Sequence, residues 1–245
     1  ARVGAALVSA EGPSQLRVIG GTDNMWAPPF DYLAHVYLPL VQRIGPRFRC
    51  ELIRHGFYPA GGGEAVVQVQ PQAKLAALEL TERGKLLGRS ATAIVARLPL
   101  HIAEREIGTL RSKLGWKKRE LRTDEVESRG PGNVVLGTLE FEHVTEMFVG
   151  FGKQGVSAER VAGGVAKEIE GYLSSDAPAG EYLADQLLLP LGIAAHQGQS
   201  SKFRATMMSG HTETHIEILK RFLSVSVDVK RTEDGTQLIN LRPAK

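Results

Sequence analysis

The segment HTETH at 211–215 carries the side chains whose types and spacing best suit chemistry, because His211 and His215 stand four residues apart on one face of a predicted helix. This is a metal-ligand spacing, but Glu213 stands third, so the motif is not His-Glu-x-x-His, and no third ligand is evident nearby. An imidazole at a helix N-terminus can instead attack a phosphate group, since the helix dipole opposes protonation and attracts the phosphate. A third hypothesis is that His211 is only a polar capping residue.

A second candidate is the glycine-rich segment RHGFYPAGGGE at 54–64. Gly61, Gly62 and Gly63 add no side-chain bulk, so their N–H groups can face an anion or their backbone can approach another closely. The segment lacks the Gly-Lys-Ser/Thr end of a Walker phosphate loop and the spaced glycines of a dinucleotide fingerprint. A wide hairpin connection between strands at 51–54 and 64–69 is the structural alternative, and composition alone leaves both open.

The composition is that of an ordinary globular protein, long enough at 245 residues for two domains or one large one. The sequence contains no run of eighteen apolar residues, so it predicts no membrane-spanning helix. The N-terminal residues lack an initiator Met and a basic leader, which predicts a cytoplasmic location without a secretory signal. Cys50 is the only cysteine, which excludes internal disulfides and thiolate metal clusters.

The charge balance favours an anionic partner only weakly. The formal net charge is +3, far below the excess of a dedicated nucleic-acid clamp. The densest basic run, KLGWKKRELR at 113–122, places Lys117, Lys118 and Arg119 directly after Trp116. It could be a solvated strand or helix end, or a patch on which nucleic-acid bases stack.

Hydrophobic periodicity predicts the elements that position these segments. A short strand with Leu16 and Val18 precedes a helix that opens at Pro28 and Pro29 and closes at Gly45. With the two strands around the glycine-rich segment, this gives a β-α-β-β beginning.

Residues 83 to 176 have a different pattern, typical of a compact α/β block. Strands are predicted near 90–96 and on both sides of 142–143, and helices near 102–114 and 158–173. The second helix carries its apolar residues on one face, namely Val161, Val165, Ile169 and Leu173.

The C-terminal residues again show a pattern of predicted helices and strands that resembles the pattern of the N-terminal ones. A helix is predicted from Gly180, with its pattern broken by Pro190. A strand at 202–208, a helix from about His211 and a hairpin of 224–230 with 237–241 are predicted to follow.

Six segments in this order resemble the RNA 3′-terminal phosphate cyclase family: GGTDNMWAPPFDY at 20–32, RHGFYPAGGGE at 54–64, TERG at 81–84, HIAEREI at 101–107, GPGN at 130–133 and GEYLADQL at 180–187. The resemblance implies an α+β fold of repeated units, each with two helices on a four-stranded sheet, and a smaller inserted α/β domain. It assigns 1–82 and 178–245 to the repeat domain, without its first repeat, and 83–177 to the insert. The glycine-rich segment is then best interpreted as a tight structural connection.

The resemblance also implies an activity, the ATP-dependent conversion of an RNA 3′-phosphate into a 2′,3′-cyclic phosphate through a histidine that carries AMP. Pyrophosphate leaves first and AMP last. Counting back from Arg221-Phe222 assigns the nucleophile to His211, with His215 as the rival. The resemblance implies that the partners of the protein are RNA 3′-phosphate ends and ATP, with no membrane involved.

The nucleotide pocket implied by the resemblance includes Tyr182, Leu183, Ala184, Asp185 and Gln186. Tyr182 would stack on adenine, and Asp185 and Gln186 would hydrogen-bond the nucleotide. The structural alternative is an amphipathic helix start with a solvated Asp185.

The opposite wall of the pocket is assigned by the resemblance to Pro28, whose structural role would be to start a helix. Mg²⁺ is expected because the charge of the departing pyrophosphate must be neutralised. Asp185 and Glu181 are candidate ligands, but the sequence does not assign them, and no protein metal site is predicted.

Part of the family pattern has no counterpart in these 245 residues, namely an opening strand and a Glu-Gly-Gly-Gly-Gln-x-x-Arg segment. Two functions are therefore carried forward. One is an RNA-end-modifying enzyme that uses His211. The other is a non-catalytic RNA-binding relative that assists ribosome assembly, or an inactive fragment.

Overall fold

The computed structural model describes residues 7, 8 and 10–244 and shows a mixed α+β protein. Its strands are β1 (Ser14–Gly20), β2 (Arg47–Arg54), β3 (Gly63–Gln70), β4 (Glu79–Leu80), β5 (Leu86–Ala96), β6 (Leu121–Glu125), β7 (Gly132–Phe141), β8 (Thr145–Phe151), β9 (Ser201–Ala205), β10 (Val225–Arg231) and β11 (Gln237–Pro243). Its helices are α1, which runs through Phe30–Tyr32, a π-helical turn at Leu33–Tyr37 and Leu38–Gln42, then α2 (His101–Leu114), α3 (Ala158–Leu173), α4 (Glu181–His196) and α5 (Gly210–Phe222). The strands form three separate sheets, which confirms the predicted α+β class.

The first unit is the antiparallel sheet β1-β3-β2 with α1 beside β2. The predicted β-α-β-β order is confirmed. Pro29 is the N-cap residue of α1. Its lack of a backbone N–H costs no hydrogen bond there, because N–H groups at a helix start have no partner within the helix. The resemblance implied two helices and four strands for every unit. Within the described residues, this unit instead has three strands and one helix.

The glycine-rich segment connects β2 to β3, which pair as an antiparallel hairpin. Its glycines are needed for close approach of two backbones: a Cβ at Gly56 would lie 2.2 Å from the nitrogen of Gly63. Gly61 and Gly62 have φ angles of +60° and +73°, in the left-handed region that glycine adopts without strain. A Cβ at Gly63 would likewise lie 2.6 Å from the nitrogen of Gly56, so the structural interpretation accounts for all four glycines of the segment.

The second unit is the sheet β6-β5-β7-β8 with α2 and α3 packed on it. Val161, Val165 and Ile169 are buried as predicted, whereas Leu173, in the last turn of α3, is 40% exposed. Helix and sheet come close at Gly150 of β8, where a Cβ would lie 2.7 Å from Cγ2 of Val165. A strand residue without a side chain therefore sets the distance between α3 and the sheet.

The third unit is the sheet β10-β11-β9-β4 with α4 and α5, and it has the implied four strands and two helices. The expected break at Pro190 was wrong, because α4 runs without interruption from Glu181 to His196. Pro190 removes one hydrogen bond to the carbonyl four residues earlier, but α4 buries its leucines and alanines along most of its length. The predicted strand at 202–208 is shorter and ends at Ala205.

The chain enters the second unit and returns from it alongside a single strand of the third unit, β9. Glu79 and Leu80 of β4 pair in parallel with Lys202 and Phe203 of β9. Ala179 forms a parallel bridge with Ala205 of the same strand. Since β11 occupies the other edge of β9, β4 and Ala179 lie in line on one side. The predicted division at 82/83 and 177/178 stays a prediction.

Candidate active site at two helix N-termini

The helix α5 begins at Gly210, one residue before the predicted start at about His211. Ser209 is the N-cap residue, and its hydroxyl accepts a hydrogen bond from the Thr212 N–H at 3.2 Å. His211 is the second helical residue and so lies in the first turn. The positive end of the helix dipole therefore lies at His211, where it favours an anion such as a phosphate.

Asp185 of α4 joins both histidines of α5 through a single oxygen atom. Its Oδ1 lies 3.0 Å from Nδ1 of His211 and 3.1 Å from Nδ1 of His215. Burial raises the pKa of Asp185, but the hydrogen bonds from His215 and then His211 outweigh it and hold the pKa below its usual value. The group is therefore a carboxylate, which can only accept hydrogen bonds.

The ionised state of Asp185 fixes the tautomers of the two rings. Because the carboxylate only accepts, Nδ1 of His211 and of His215 must each carry a proton. In a neutral ring this leaves the lone pair on Nε2, the nitrogen that points away from Asp185. Each imidazole is thus held in the form in which Nε2 can act as a nucleophile or an acceptor.

Exposure separates the two histidines. The side chain of His211 is 61% exposed, whereas that of His215 is 13% exposed. A triphosphate from solution can therefore reach His211 more readily. His215 bonds the same carboxylate from one helical turn further on and restrains it.

The other predicted pocket residues lie on α4 near Asp185. Tyr182 is 67% exposed, so its ring is available to a ligand, and the amide of Gln186 donates to Oδ2 of Asp185 at 3.4 Å. Leu183 and Ala184 are fully buried in the core, with 0% of each residue exposed.

Pro28, the predicted opposite wall, is exposed just before α1. The helix α1 contacts α4 through its π-helical turn Leu33–Tyr37. The structure therefore brings together Asp185, Gln186, His211 and His215 by direct hydrogen bonds. Tyr182 lies on α4, whereas Pro28 lies just before α1, the helix that packs against α4.

Glu146 of β8 positions the start of α4, and the sequence analysis missed it. The N–H of Gly180, the N-cap residue of α4, donates to Glu146 Oε2 at 2.7 Å. Burial raises the pKa of Glu146 to about 7 against the opposing effect of hydrogen bonds from Gly180 and Met147. The only signal in the sequence is a lone carboxylate in a largely apolar strand.

Comparisons with known proteins identify the family of this chain. The sequence model of the family described as RNA 3′-terminal phosphate cyclase matches residues 3–229. The chain belongs to this family.

Three relatives that are named RNA 3′-terminal phosphate cyclase show how much of the family's length is covered. The one from Koribacter versatilis is 43% identical over 94% of this chain and 64% of the relative. The one from Pseudomonas aeruginosa is 41% identical over 98% of this chain and 69% of the relative. The one from Salmonella enteritidis is 42% identical over 94% of this chain and 66% of the relative. This cyclase family member thus spans about two thirds of the length of these curated relatives.

The residues of this cyclase family member do not form a metal centre in the part of the chain that the structure describes. No group of three or more His, Cys, Asp or Glu side chains is placed there to hold an ion. The Asp185 oxygens already accept hydrogen bonds from two imidazoles and an amide. The described residues therefore do not fit a magnesium site of their own.

The basic segment near Trp116 does not offer a stacking surface. Trp116 is only 4% exposed, and the guanidinium of Arg89 lies 5.6 Å from its ring centroid. The alternative in which bases stack on Trp116 is therefore wrong.

Among the described helices, none is both long and apolar enough to cross a membrane.

Proposed function

We propose that this member of the cyclase family converts an RNA 3′-terminal phosphate into a 2′,3′-cyclic phosphodiester at the expense of ATP, in the cytoplasm, with His211 as the residue that becomes adenylylated. The observation that carries the proposal is the hydrogen bond from His211 Nδ1 to the ionised Asp185, at the exposed N-terminus of α5. In the neutral ring it leaves the lone pair on Nε2, and the side chain is 61% exposed, so a nucleotide phosphate can approach it.

In the first step, Nε2 of His211 attacks the α-phosphorus of ATP. The bond from this phosphorus to the oxygen that bridges to the β-phosphate breaks, and pyrophosphate leaves. The ring gains positive charge as the nitrogen–phosphorus bond forms, and the Asp185 carboxylate stabilises the N–H at Nδ1. The dipole of α5 favours the phosphate charge at the same position.

In the second step, an oxygen of the RNA 3′-phosphate attacks the same phosphorus, the Nε2–phosphorus bond breaks, and the ring regains its lone pair. In the third step, the neighbouring 2′-hydroxyl attacks the terminal phosphorus of the RNA, its proton passes to water, and AMP leaves. The ribose itself holds this hydroxyl beside the phosphorus, so the last step needs little beyond orientation.

The nucleotide would be held by residues of α4 and by the segment before α1. The exposed ring of Tyr182 would stack on adenine, with Pro28 on the other face and Gln186 as a polar contact. Asp185, which is occupied by the two histidines, would act mainly through His211. Mg²⁺ would bind the ATP phosphates and water, as it commonly does in phosphoryl transfer.

The alternative is a non-catalytic RNA-binding relative. Such a protein would need neither an exposed imidazole nor a carboxylate that sets its tautomer. The geometry of Asp185, His211 and His215 therefore favours the enzyme.

Labelling with ATP that carries radioactive phosphorus in the α-position tests the proposal. The native chain should become labelled through a bond that is labile in acid and stable in base, which is typical of a histidine phosphoramidate. His211→Ala should abolish the label, whereas His215→Ala should weaken it only by loosening Asp185. Label that persists in His211→Ala and disappears in His215→Ala would reverse the assignment, and a native chain without label would favour the non-catalytic relative.

A further inference from the structure

Two large aromatic side chains are exposed side by side on the first unit. Trp26 is 68% exposed and Tyr58 is 59% exposed, and their ring centroids lie 4.9 Å apart at an interplanar angle of 89°. Met25, beside Trp26 in the chain, is 44% exposed. Aromatic rings of this size are normally buried, so an adjacent exposed pair marks an interaction surface.

The loops that carry the two rings are braced against each other. The N–H groups of Thr22 and Asp23 both donate to the carbonyl of Gly56, at 2.9 and 3.1 Å. In return the Gly56 N–H donates to the Thr22 hydroxyl at 2.9 Å. The buried Asp23 carboxylate also pairs with His55 at 2.9 Å. The rings are therefore held by a cross-linked pair of loops, so a ligand that stacks on them loses little loop entropy.

Two arginines flank the same loop and give the surface a positive charge. The Nε–H of Arg54 donates to the carbonyl of Gly62 at 2.7 Å. The exposed side chain of Arg129 lies against Gly62 so closely that a Cβ there would be 2.1 Å from its Cδ. Glu64 also lies near Arg54, at 3.7 Å, but its closer partner is Arg17, at 2.7 Å. Cationic groups at the end of the loop that carries Tyr58 suit an anionic polymer with flat bases better than an apolar protein surface.

We propose that Trp26 and Tyr58 form a stacking platform for a base of single-stranded RNA, with Arg54 and Arg129 contacting the adjacent phosphates. Trp26 lies two residues before Pro28 in the chain, on the segment that carries this predicted wall of the nucleotide pocket. This inference rests on the proposed function for the identity of the polymer. It concerns nucleotides upstream of the 3′-phosphate, whereas the chemistry occurs at the last nucleotide.

Tryptophan fluorescence tests the platform without any turnover. The chain has two tryptophans, and Trp116 is buried, so the exposed signal comes from Trp26. A ten-nucleotide oligouridylate with a 3′-phosphate, added without ATP, should quench the native chain. Trp26→Phe, which retains only Trp116 as a fluorophore, should bind the RNA with similar affinity but show no quenching.

Affinity measurements by anisotropy of a labelled oligonucleotide complete the test. Trp26→Ala should weaken binding about tenfold, in keeping with the loss of one stacked base. Phe222→Ala, which removes an aromatic ring that is 81% exposed at the far end of α5, should leave the affinity unchanged. Native affinity in Trp26→Ala, or absence of quenching at saturating RNA, would overturn the proposal, as would a change confined to self-association.

The phosphate contacts have a separate signature in the salt dependence. Arg129→Ala should reduce the slope of log affinity against log salt by about 0.7, the value for one phosphate contact to a single strand. Arg111→Ala, an exposed arginine on α2, is the matched control and should leave the slope unchanged. An Arg129→Ala slope equal to that of the native chain would contradict the assigned contact.

The two proposals fail in different ways. Transfer of AMP to His211 needs no RNA, so Trp26→Ala should be labelled by ATP as well as the native chain is. A wrong platform therefore leaves labelling intact and the RNA affinity of Trp26→Ala unchanged, whereas a wrong catalytic proposal abolishes labelling in every variant.

Discussion

Asp185 is the residue on which the proposed chemistry depends most, because a single oxygen of its carboxylate serves both histidines. In Asp185→Asn the charge is lost and the amide can turn its NH₂ group towards the rings, so His211 is no longer held with its proton on Nδ1. The rate of AMP transfer to protein should fall at least about tenfold, as is typical when the residue that orients a catalytic group is removed.

The matched control for that variant is Glu213→Gln, which removes an exposed carboxylate from the first turn of α5. It should change the labelling rate by less than about twofold, because the effect of an exposed charge on a helix terminus is small. Equal losses in Asp185→Asn and Glu213→Gln would show that general charge near α5, rather than the orientation of His211, determines the rate.

At the scale of single residues, the sequence was informative about positions within one helix. The helix predicted to start at about His211 places this residue in the first turn of α5, and the structure agrees. The sequence did not predict that Asp185, which lies 26 residues earlier, would reach both histidines. That contact depends on how α4 packs on α5, which local patterns do not encode.

At the scale of elements, the distance between α3 and its sheet depends on Gly150. Gly150→Ala would place a methyl group 2.7 Å from Cγ2 of Val165, 3.1 Å from Cγ1 of Val161 and 3.3 Å from the Val161 carbonyl. Because β-branched side chains on a helix cannot rotate away, α3 must shift, and the free energy of unfolding should fall by about 1–3 kcal/mol.

Gly164→Ala on the same helix is the control, since a Cβ there has open space around it. It should raise the free energy of unfolding by about 1 kcal/mol through helix propensity alone. Urea denaturation of both variants measures the difference. A Gly150→Ala variant as stable as the native chain would mean that α3 can move without cost.

Most helices and strands were predictable, because their apolar residues recur at clear periods. The exceptions have local physical causes. Pro190 does not end α4, since the burial of neighbouring leucines outweighs one missing hydrogen bond. The π-helical turn Leu33–Tyr37 inserts an extra residue into α1 and has no compositional signal. The two-residue strand β4 exists only through its pairing with β9.

At the scale of the whole molecule, Glu146 connects the second unit to the third. Its pKa is about 7 in the folded chain, above the ordinary 4.5, so between these values the unfolded chain releases a proton that the folded chain keeps. The contribution of Glu146 to stability is therefore complete below pH 4.5 and is lost as the pH rises to about 7. Glu146→Gln should reduce the fall in unfolding free energy between pH 5 and pH 8 by about 2 kcal/mol.

Glu106 offers a comparison within the second unit. It is also buried, its pKa is also raised to about 7, chiefly by burial, and it accepts a hydrogen bond from Asn133 at 2.8 Å. Glu106→Gln should flatten the same pH dependence without changing AMP transfer, whereas Glu146→Gln should change both through the start of α4. Denaturation at several pH values, with labelling of each variant, separates the two roles. An unaltered pH dependence in Glu146→Gln would refute the stated linkage.

The change of pattern at 83 and 177 predicted a division of the chain, but it gave no information on the contacts between the units. The bond between Glu146 and Gly180 joins residues 34 positions apart in different units. The exposure of Trp26 and the burial of Trp116 were likewise invisible in the sequence, where only Trp116 stands beside a basic run. Composition indicates which residues can bind a base, and tertiary structure decides which of them face solvent.

The path of the chain along β9 has a consequence for how this architecture can vary. Leu80 pairs opposite Phe203, and Ala179 bridges to Ala205, only two positions further along the same strand. The whole second unit is therefore inserted between Leu80 and Ala179, which lie close together along the same edge of β9. An insertion attached in this way can grow, shrink or be exchanged without changing the order of any strand in the sheet that supports α4 and α5.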